Sequence, residues 1–284
     1  GSHWAALGEG LDDVCKAIAV NGHGQVYAAG NFIHAGNFEV NHIAKWDGLS
    51  WESLGSGLPS DCDALAIDSH GNVYAGGYFA KIGELQVNYV AKWNPVDNTW
   101  SAVGSGLSSE CHALVFDADG ILYAGGAFGV SKWNNDTAAW ESVGSLAGLK
   151  ACYALIIENS VTSKTIYAAG NFGVSKWDGT TWIPLELGYD NRHIDINCYA
   201  LALDNKNKLF ALGEFSSFQA PQSPYNGMAV HDGAKWSDPP GGRLFEYEDG
   251  AANAGKGYAI CGDSNGNIFV GGDLLTGPST IVKA

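Results

Sequence analysis

Acidic and histidine side chains flank two cysteines in the first half of the chain. Asp61 and Asp63 lie on either side of Cys62, and Glu110 and His112 lie on either side of Cys111. Carboxylates with an imidazole can coordinate a divalent cation or act as general acid and base. The candidate metal ligands are therefore Asp61, Asp63, Glu110 and His112, and the last three are also candidate catalytic residues.

Three insertions in the second half of the chain are rich in side chains that are frequent at recognition surfaces. They span residues 186–195, 216–226 and 239–256. Long loops in compact domains are usually functional, and Tyr and Arg are frequent at binding hot spots. We therefore expect a binding surface here, with solvated rim loops as the alternative. The candidate binding residues are Tyr189, Asp190, Arg192, His193, Tyr225, Arg243, Glu246 and Tyr247.

A tryptophan-led repeat runs through the chain and must position both groups. Its six copies begin at Trp4, Trp51, Trp100, Trp140, Trp182 and Trp236. One copy, residues 51–99, contains four short β-type runs separated by Gly, Pro, Asn and Asp turns, and none of the runs has a helical period. Such repeats are typical of β-propeller blades. The sequence predicts an all-β, six-bladed β-propeller of four-stranded antiparallel blades.

The two ends of the chain predict how this ring closes. The last copy ends at residues 281–284, which align with residues 90–93 and leave the last blade without an outer strand. Residues 4–7 can supply that strand, so we expect the N-terminal strand to complete the last blade and to protect both edges. Residues 1–3 look like an expression-tag remnant, and residues 4–284 are expected to form a single domain.

The repeat also identifies the residues that match Asp63 in other copies. They are Lys16, Tyr153, Tyr199 and Tyr258. The innermost strands of a propeller converge on its axis, so these side chains should meet at one axial mouth. Tyr153 and Tyr199 are therefore added to the catalytic candidates. Lys16 favours an alternative, in which its ammonium pairs with Asp63 and the cluster is a satisfied polar rim.

One strand and one turn of each copy resemble the kelch repeat and the central domain of galactose oxidase. The resemblance rests on the double-glycine run of residues 73–79, VYAGGYF, and on residues 90–100, VAKWNPVDNTW. It departs at Ala29, Ala169 and Leu212, which replace the first glycine, and at the LGSGL-type loops after the tryptophan. The resemblance implies a propeller, a fold that serves binding adaptors and a few enzymes. The copper ligands of galactose oxidase cannot be matched to residues of this chain.

Cysteine, tryptophan and aspartate recur at fixed positions in the copies. Equivalent cysteines of neighbouring blades should be too far apart for disulfides, so we expect thiols that pack the inner strands. The tryptophans are expected in the core between blades, and His231, which replaces one of them, is expected at the surface. Turns such as residues 68–71 are expected to be hairpins rather than calcium loops, because the bidentate Glu is missing.

The formal charge of −15 limits the class of partner. It disfavours nucleic acid and anionic membrane surfaces, and it fits a basic or metal-containing partner. No apolar run is long enough to insert into a bilayer, and no signal peptide is visible. The expected lack of disulfides favours a reducing compartment or a secreted protein that has none, in which case Asn135 would lie in a glycosylation sequon.

Three functional hypotheses remain open from the sequence. The first is a monomeric, non-enzymatic module that binds a protein or glycan through the variable-loop face, mainly of blades five and six. The second is a hydrolase, lyase or oxidase with its site at the axial mouth, with or without a divalent cation. The third is a structural propeller within a larger protein. The chain contains no nucleophile elbow, phosphate loop or dinucleotide fingerprint, which favours the first hypothesis.

Overall fold

The chain forms antiparallel β-sheets. A computed structural model describes residues 6–146, 151–159, 164–185, 197–214, 227–239, 257–263, 265–272 and 282–283. These residues contain strands, turns and loops but no helix, so none of them forms a helix that could cross a membrane. The chain divides into two compact units, Gly1–Val143 and Gly144–Ala284, which are called the first and second unit below.

The first unit contains three four-stranded sheets and two small hairpins. Sheet 1 is β1 (Cys15–Val20), β2 (Val26–Gly30), β5 (Ile43–Trp46) and β6 (Trp51–Ser53), and its hairpin is β3 (His34–Ala35) with β4 (Phe38–Glu39). Sheet 2 is β7 (Cys62–Ile67), β8 (Val73–Gly77), β11 (Val90–Asn94) and β12 (Thr99–Ala102), and its hairpin is β9 (Lys81–Ile82) with β10 (Leu85–Gln86). Sheet 3 is β13 (Cys111–Phe116), β14 (Leu122–Gly126), β15 (Gly129–Asn134) and β16 (Ala139–Ser142).

The second unit repeats this plan. Sheet 4 is β17 (Cys152–Asn159), β18 (Lys164–Gly170), β19 (Gly173–Trp177) and β20 (Trp182–Leu185). Sheet 5 is β21 (Asn197–Leu203), β22 (Leu209–Glu214), β23 (Met228–His231) and β24 (Trp236–Ser237). Sheet 6 has three strands among the described residues, β25 (Gly257–Gly262), β26 (Ile268–Gly272) and β27 (Val282–Lys283). The prediction of four-stranded antiparallel sheets is confirmed for sheets 1 to 5, whereas Trp4, which should add a strand to sheet 6, lies outside the described residues.

Aspartate side chains close the tight turns between the first and second strands. The Asp68 carboxylate accepts the backbone N–H groups of His70 and Asn72, both at 2.9 Å. Asp263 accepts those of Asn265 and Asn267 at 2.9 and 2.8 Å. An aspartate that binds its own turn in this way is the hairpin capping expected from sequence, so the interpretation of these segments as turns is confirmed.

Tryptophans and a glycine join neighbouring sheets within the first unit. The indole Nε1 of Trp51 donates to the carbonyl of Leu7 at 3.0 Å, and that of Trp100 donates to the carbonyl of Leu54 at 3.0 Å. The residue after each of these carbonyl groups is a glycine, Gly8 or Gly55, which lies against a tryptophan ring. A Cβ on Gly55 would lie 3.1 Å from Trp93, which explains why no side chain is present there.

The core role expected for the thiols is borne out for Cys62, Cys111, Cys152 and Cys198, whereas Cys15 is exposed. Trp51 and Trp93 are buried, and Trp93 packs on Trp100 with ring centroids 5.3 Å apart. All six cysteines lie among the described residues as thiols. The expectation for His231 was wrong: its ring is half-buried and lies edge-on to Trp236 at 5.0 Å, so it occupies the place of the missing tryptophan.

We expect the substitution Gly104→Ala to destabilise the first unit more than Gly120→Ala. Both glycines have positive φ, 60° and 79°, so each alanine should lose about 1–2 kcal/mol from backbone strain. Only at Gly104 would the new methyl group lie 2.7 Å from Trp133, which should add about 1–3 kcal/mol of overpacking. Urea unfolding followed by circular dichroism measures the difference, and equal losses would show that Gly104 does not pack under the ring.

Candidate functional site

A β-bulge occurs at the same point of the first strand in all six described sheets. In sheet 2 the register pairs Cys62 with Gly77 and then Ala64 with Gly76, so one extra residue, Asp63, lies between the two pairs. Bulges aim a side chain away from the ladder and are frequent beside functional sites. The bulged residues are Lys16, Asp63, His112, Tyr153, Tyr199 and Tyr258.

Within the first unit these bulged residues form one polar row. Strands β1, β7 and β13 pack side by side, which brings their starts together. The Lys16 Nζ donates to Asp63 Oδ1 at 2.9 Å, and Asp63 Oδ2 lies 2.8 Å from Nδ1 of His112. An ionised carboxylate only accepts hydrogen bonds, so Nδ1 of His112 carries the hydrogen. The expected pairing of Lys16 with Asp63 is therefore confirmed.

Three further side chains, those of Asp61, His42 and Tyr78, lie beside the row. Lys16 Nζ also binds Asp61 Oδ2 at 3.3 Å, and His42 Nδ1 lies 3.9 Å from Asp61 Oδ1. The ring of Tyr78 lies 5.8 Å from Lys16 Nζ and 5.7 Å from the His112 ring. Neither His42 nor Tyr78 was a candidate from sequence. Tyr78 follows the double glycine directly and is 48% exposed. An aromatic residue at that position is the one sequence feature that could have indicated its place beside the row.

The charges of the row stabilise one another. Burial acts to raise the pKa of Asp63, but the hydrogen bonds from His112 and Lys16 together outweigh it and hold that pKa below its ordinary value. Burial likewise acts to lower the pKa of Lys16, and the carboxylates of Asp63 and Asp61 together raise it. Asp63 and Lys16 are therefore both charged at neutral pH.

The metal and catalytic candidates are only partly brought together. Asp61 and Asp63 flank the Lys16 ammonium, and His112 joins through Asp63. Glu110 instead accepts a hydrogen bond from Ser109, and this bond lowers its pKa. Among the residues that the structure describes, no group of three or more His, Cys, Asp or Glu side chains is arranged to hold a metal ion.

Within the second unit the bulged residues form an aromatic row. Strands β17, β21 and β25 pack side by side. The rings of Tyr153 and Tyr199 are 6.0 Å apart at 34°, and those of Tyr199 and Tyr258 are 5.9 Å apart at 43°. Tyr258, at the end of the row, is 49% exposed. The two catalytic candidates Tyr153 and Tyr199 are thus neighbours, together with a third tyrosine.

The long insertions attach to the sheets at the end that carries this aromatic row. Residues 186–196 run into β21, whose third residue is Tyr199, and residues 240–256 run into β25, whose second residue is Tyr258. Residues 215–226 leave β22 at Glu214, which pairs with Asn197 at the start of β21. The candidate binding residues on these insertions lie outside the described residues; they are Tyr189, Asp190, Arg192, His193, Tyr225, Arg243, Glu246 and Tyr247.

Comparison with known proteins shows likeness at the level of fold. No protein-family model matches the chain, and no curated protein matches it. One similar solved structure is the extracellular domain of a protein described as a hybrid two component system, BT4673, from B. thetaiotaomicron. The TM-score is 0.61 at 13% identity, over 94% of this chain and 38% of that one. Another is U3-55K, with a TM-score of 0.62 at 15% identity, over 93% of this chain and 76% of that one.

At such identities these neighbours establish an all-β fold built from repeated four-stranded sheets. This chain spans well under half the length of the first neighbour, at 38%. The likeness does not extend to activity or partners, because unrelated functions share the same folds.

We expect the substitution Asp63→Asn to destabilise the first unit by about 1–3 kcal/mol at pH 7, because Lys16 and His112 lose a charged acceptor that is only 14% exposed. The folded-state pKa of Asp63 is lowered, so its contribution is present above the unfolded pKa and is lost as pH falls through the folded value. The difference from wild type should therefore persist from pH 5 to 9, begin to fall near the unfolded pKa of about 4 and vanish only below the lower folded pKa.

Thermal melts across this pH range measure that difference, and Asp61→Asn is the matched control. Asp61 is more exposed, at 37%, and its contact with Lys16 is longer, at 3.3 Å, so its loss should matter less. A gap between wild type and Asp63→Asn that stays constant into acid would contradict the ion-pair interpretation.

Proposed function

We propose that the six copies close into one six-bladed, kelch-like propeller. Two observations support this proposal: the repeated four-stranded sheets, and apolar side chains on β1 that are exposed to solvent. On the first strand of sheet 1, Ile18 and Val20 are 66% and 59% exposed, and Val14 just before it is 55% exposed. Cys15 of the same strand is also exposed, whereas the matching thiols of sheets 2 and 3, Cys62 and Cys111, are fully buried. In a closed ring the last sheet covers this face of β1.

Closure predicts that Ile18→Asp destabilises the protein by about 2–4 kcal/mol, because a buried carboxylate replaces an apolar side chain. If Ile18 were in water, the change should stay within about 0.5 kcal/mol. Leu49→Asp is the control, since Leu49 lies in a turn and is 88% exposed. Equal thermal midpoints for the two variants would reject closure over this face.

We further propose that the protein is a non-enzymatic binding module for a protein or glycan partner. The observation that carries this proposal is the position of the aromatic row: the three long insertions attach to sheets 5 and 6, which carry Tyr199 and Tyr258, and Tyr153 packs beside Tyr199. Exposed aromatic side chains beside long loops on a rigid sheet scaffold are typical of recognition surfaces. The site comprises this row and the insertions, on the variable-loop face of blades five and six.

The polar row of the first unit supports binding over catalysis. Lys16 occupies the space between the carboxylates of Asp61 and Asp63 where a cation would otherwise bind, and the network is closed by its own charges. The hydrogen bond between Asp63 and His112 is the one observation that favours an enzyme, because a carboxylate commonly orients a catalytic imidazole. The charge of −15 favours a monomer and a neutral or basic partner.

The test is an alanine scan of the insertions against a panel of immobilised glycans and a proteome-wide peptide library. Replacing Tyr189, Arg192, His193, Tyr225, Arg243 and Tyr247 together should weaken binding at least tenfold, because Tyr and Arg carry much of the energy of measured interfaces. Lys206→Ala is the control, since Lys206 lies in the turn after β21, at the opposite end of the same sheet from Tyr199.

Unchanged affinity in the sixfold variant would overturn the binding site. A stoichiometric metal in the purified protein that is lost in His112→Ala would instead favour the enzyme at the polar row.

A further inference from the structure

One part of each bulge is constant, while the bulged residue itself varies from copy to copy. The residue before the bulge is a cysteine in sheets 1 to 5, and the residue after it is always alanine, as in Cys62-Asp63-Ala64. The bulged residue is a lysine, an aspartate, a histidine or a tyrosine. A cysteine at this position fills the inner-strand core and also brings a hydrogen-bond donor there, which alanine would not.

The thiol spans the bulge with a hydrogen bond. Sγ of Cys62 lies 3.5 Å from the carbonyl oxygen of Ala64, two residues on, and 3.4 Å from that of Gly76 on the second strand, so its one S–H is shared between the two acceptors. Sγ of Cys111 lies 3.5 Å from the carbonyl oxygen of Ala113. The same contact recurs from Cys15 at 3.5 Å, Cys152 at 3.4 Å and Cys198 at 3.7 Å. Distances of this size are hydrogen bonds when sulfur is the donor. A local bond from residue i to i+2 fixes the backbone on both sides of the extra residue.

Burial keeps these thiols protonated. It raises the pKa of Cys62 far above its ordinary range and raises the pKa of Cys152 and Cys198 to about 12. A thiol that does not ionise at neutral pH remains a donor and does not act as a nucleophile. It therefore acts as a buried donor to the carbonyl groups beside the bulge.

Glycine completes the constant frame on the second strand. A Cβ on Gly77 would lie 2.2 Å from the carbonyl oxygen of Asp61, and one on Gly126 would lie 2.1 Å from that of Glu110. The two backbones therefore approach closely just before the thiol. With the glycine on one side and the thiol hydrogen bond on the other, the bulged residue is held in one place.

We propose that the buried first-strand thiols are positioning residues, each of which holds the adjacent bulged side chain at the ligand end of its sheet. Cys62 positions Asp63, Cys111 positions His112, and Cys152 and Cys198 position Tyr153 and Tyr199. The bulged residue is then the specificity-determining position of each copy. The ligand-contacting part of this inference rests on the proposed binding function, but the positioning part does not.

Sheet 6 provides an internal contrast. Gly257 takes the place of the cysteine there, and the bulge is still present between Gly257 and Ala259. Glycine can adopt the bulge without a side-chain bond because of its conformational freedom. The bulge of sheet 6 therefore forms without a thiol, and its bulged residue, Tyr258, lies at the end of the aromatic row.

The test reads the Asp63–His112 contact by NMR in the intact protein, without any ligand. In Cys62→Ala the bond across the bulge is lost, so the measured pKa of Asp63 should rise towards the ordinary aspartate value and the low-field Nδ1–H signal of His112 should weaken or disappear. Cys62→Ser keeps a donor and should restore both signals in large part. Cys198→Ala removes the equivalent thiol from the second unit and should leave both unchanged.

Several results would overturn the positioning role. One is a folded Cys62→Ala protein with an unchanged pKa of Asp63 and an unchanged His112 signal. Another is an equal effect from Cys198→Ala, which would indicate general loosening. If Cys62→Ala does not fold, Cys111→Ala tests the same contact from the histidine side. The groups that face Asp63, namely Lys16, Asp61, Tyr78 and His112, are the same in all these variants.

The distinction between the constant frame and the changeable bulged residue has its own readout. Exchanging the bulged residue, as in Tyr199→His, should leave the thermal midpoint close to that of wild type, whereas Cys198→Ala should lower it. A midpoint that falls as much in Tyr199→His as in Cys198→Ala would show that the bulged residue is part of the frame. Both outcomes are independent of whether the insertions bind a partner.

Discussion

The close approach of two backbones beside each bulge is the constraint on which the candidate sites depend. The first strand carries one residue more than the second strand can pair with. The extra residue is accommodated because a glycine faces it on the second strand. A Cβ added to that glycine would lie only 2.0 Å from a carbonyl oxygen of the first strand at Gly30, and 1.9 Å at Gly170. The glycine is needed there for space, since any side chain would push the strands apart. This explains why the first glycine of the pair is replaced at Ala29, Ala169 and Leu212 while the second is kept.

The same backbone position therefore supports two different chemistries. In the first unit it carries a lysine, an aspartate and a histidine that satisfy one another through charged hydrogen bonds of 2.8 and 2.9 Å. In the second unit it carries three tyrosines that contact through their rings at about 6 Å. A network whose donors and acceptors already bind one another gains little from an added ligand, because the ligand must replace those bonds. An aromatic row with an exposed end keeps apolar surface that a ligand can cover, which is why the second unit is the stronger candidate for binding.

The sequence predicted the features that recur and missed those that depend on register. The tryptophan period predicted the copies, the four strands of sheets 1 to 5 and the turns. The shared position of Lys16 and Asp63 predicted their ion pair. The bulge was missed because nothing in Cys62-Asp63-Ala64 shows which residue the opposite strand will skip; that depends on how close Gly77 can come. Tyr78 and His42 were missed because they do not belong to the first strands that carry the polar row: Tyr78 follows the end of β8, and His42 precedes the start of β5. The binding surface on the insertions was predicted from length and composition alone, and those signals define no geometry.

The separation between a constant frame and one changeable residue also bears on how such a chain diversifies. A protein grown by internal duplication begins with identical copies, and most later changes in a β-ladder weaken it. Here a single codon per copy can alter charge or aromaticity while the thiol, the glycine and the alanine that follows remain in place. Lysine, aspartate, histidine and tyrosine at one backbone position are the outcome expected when selection acts on chemistry while architecture is inherited intact.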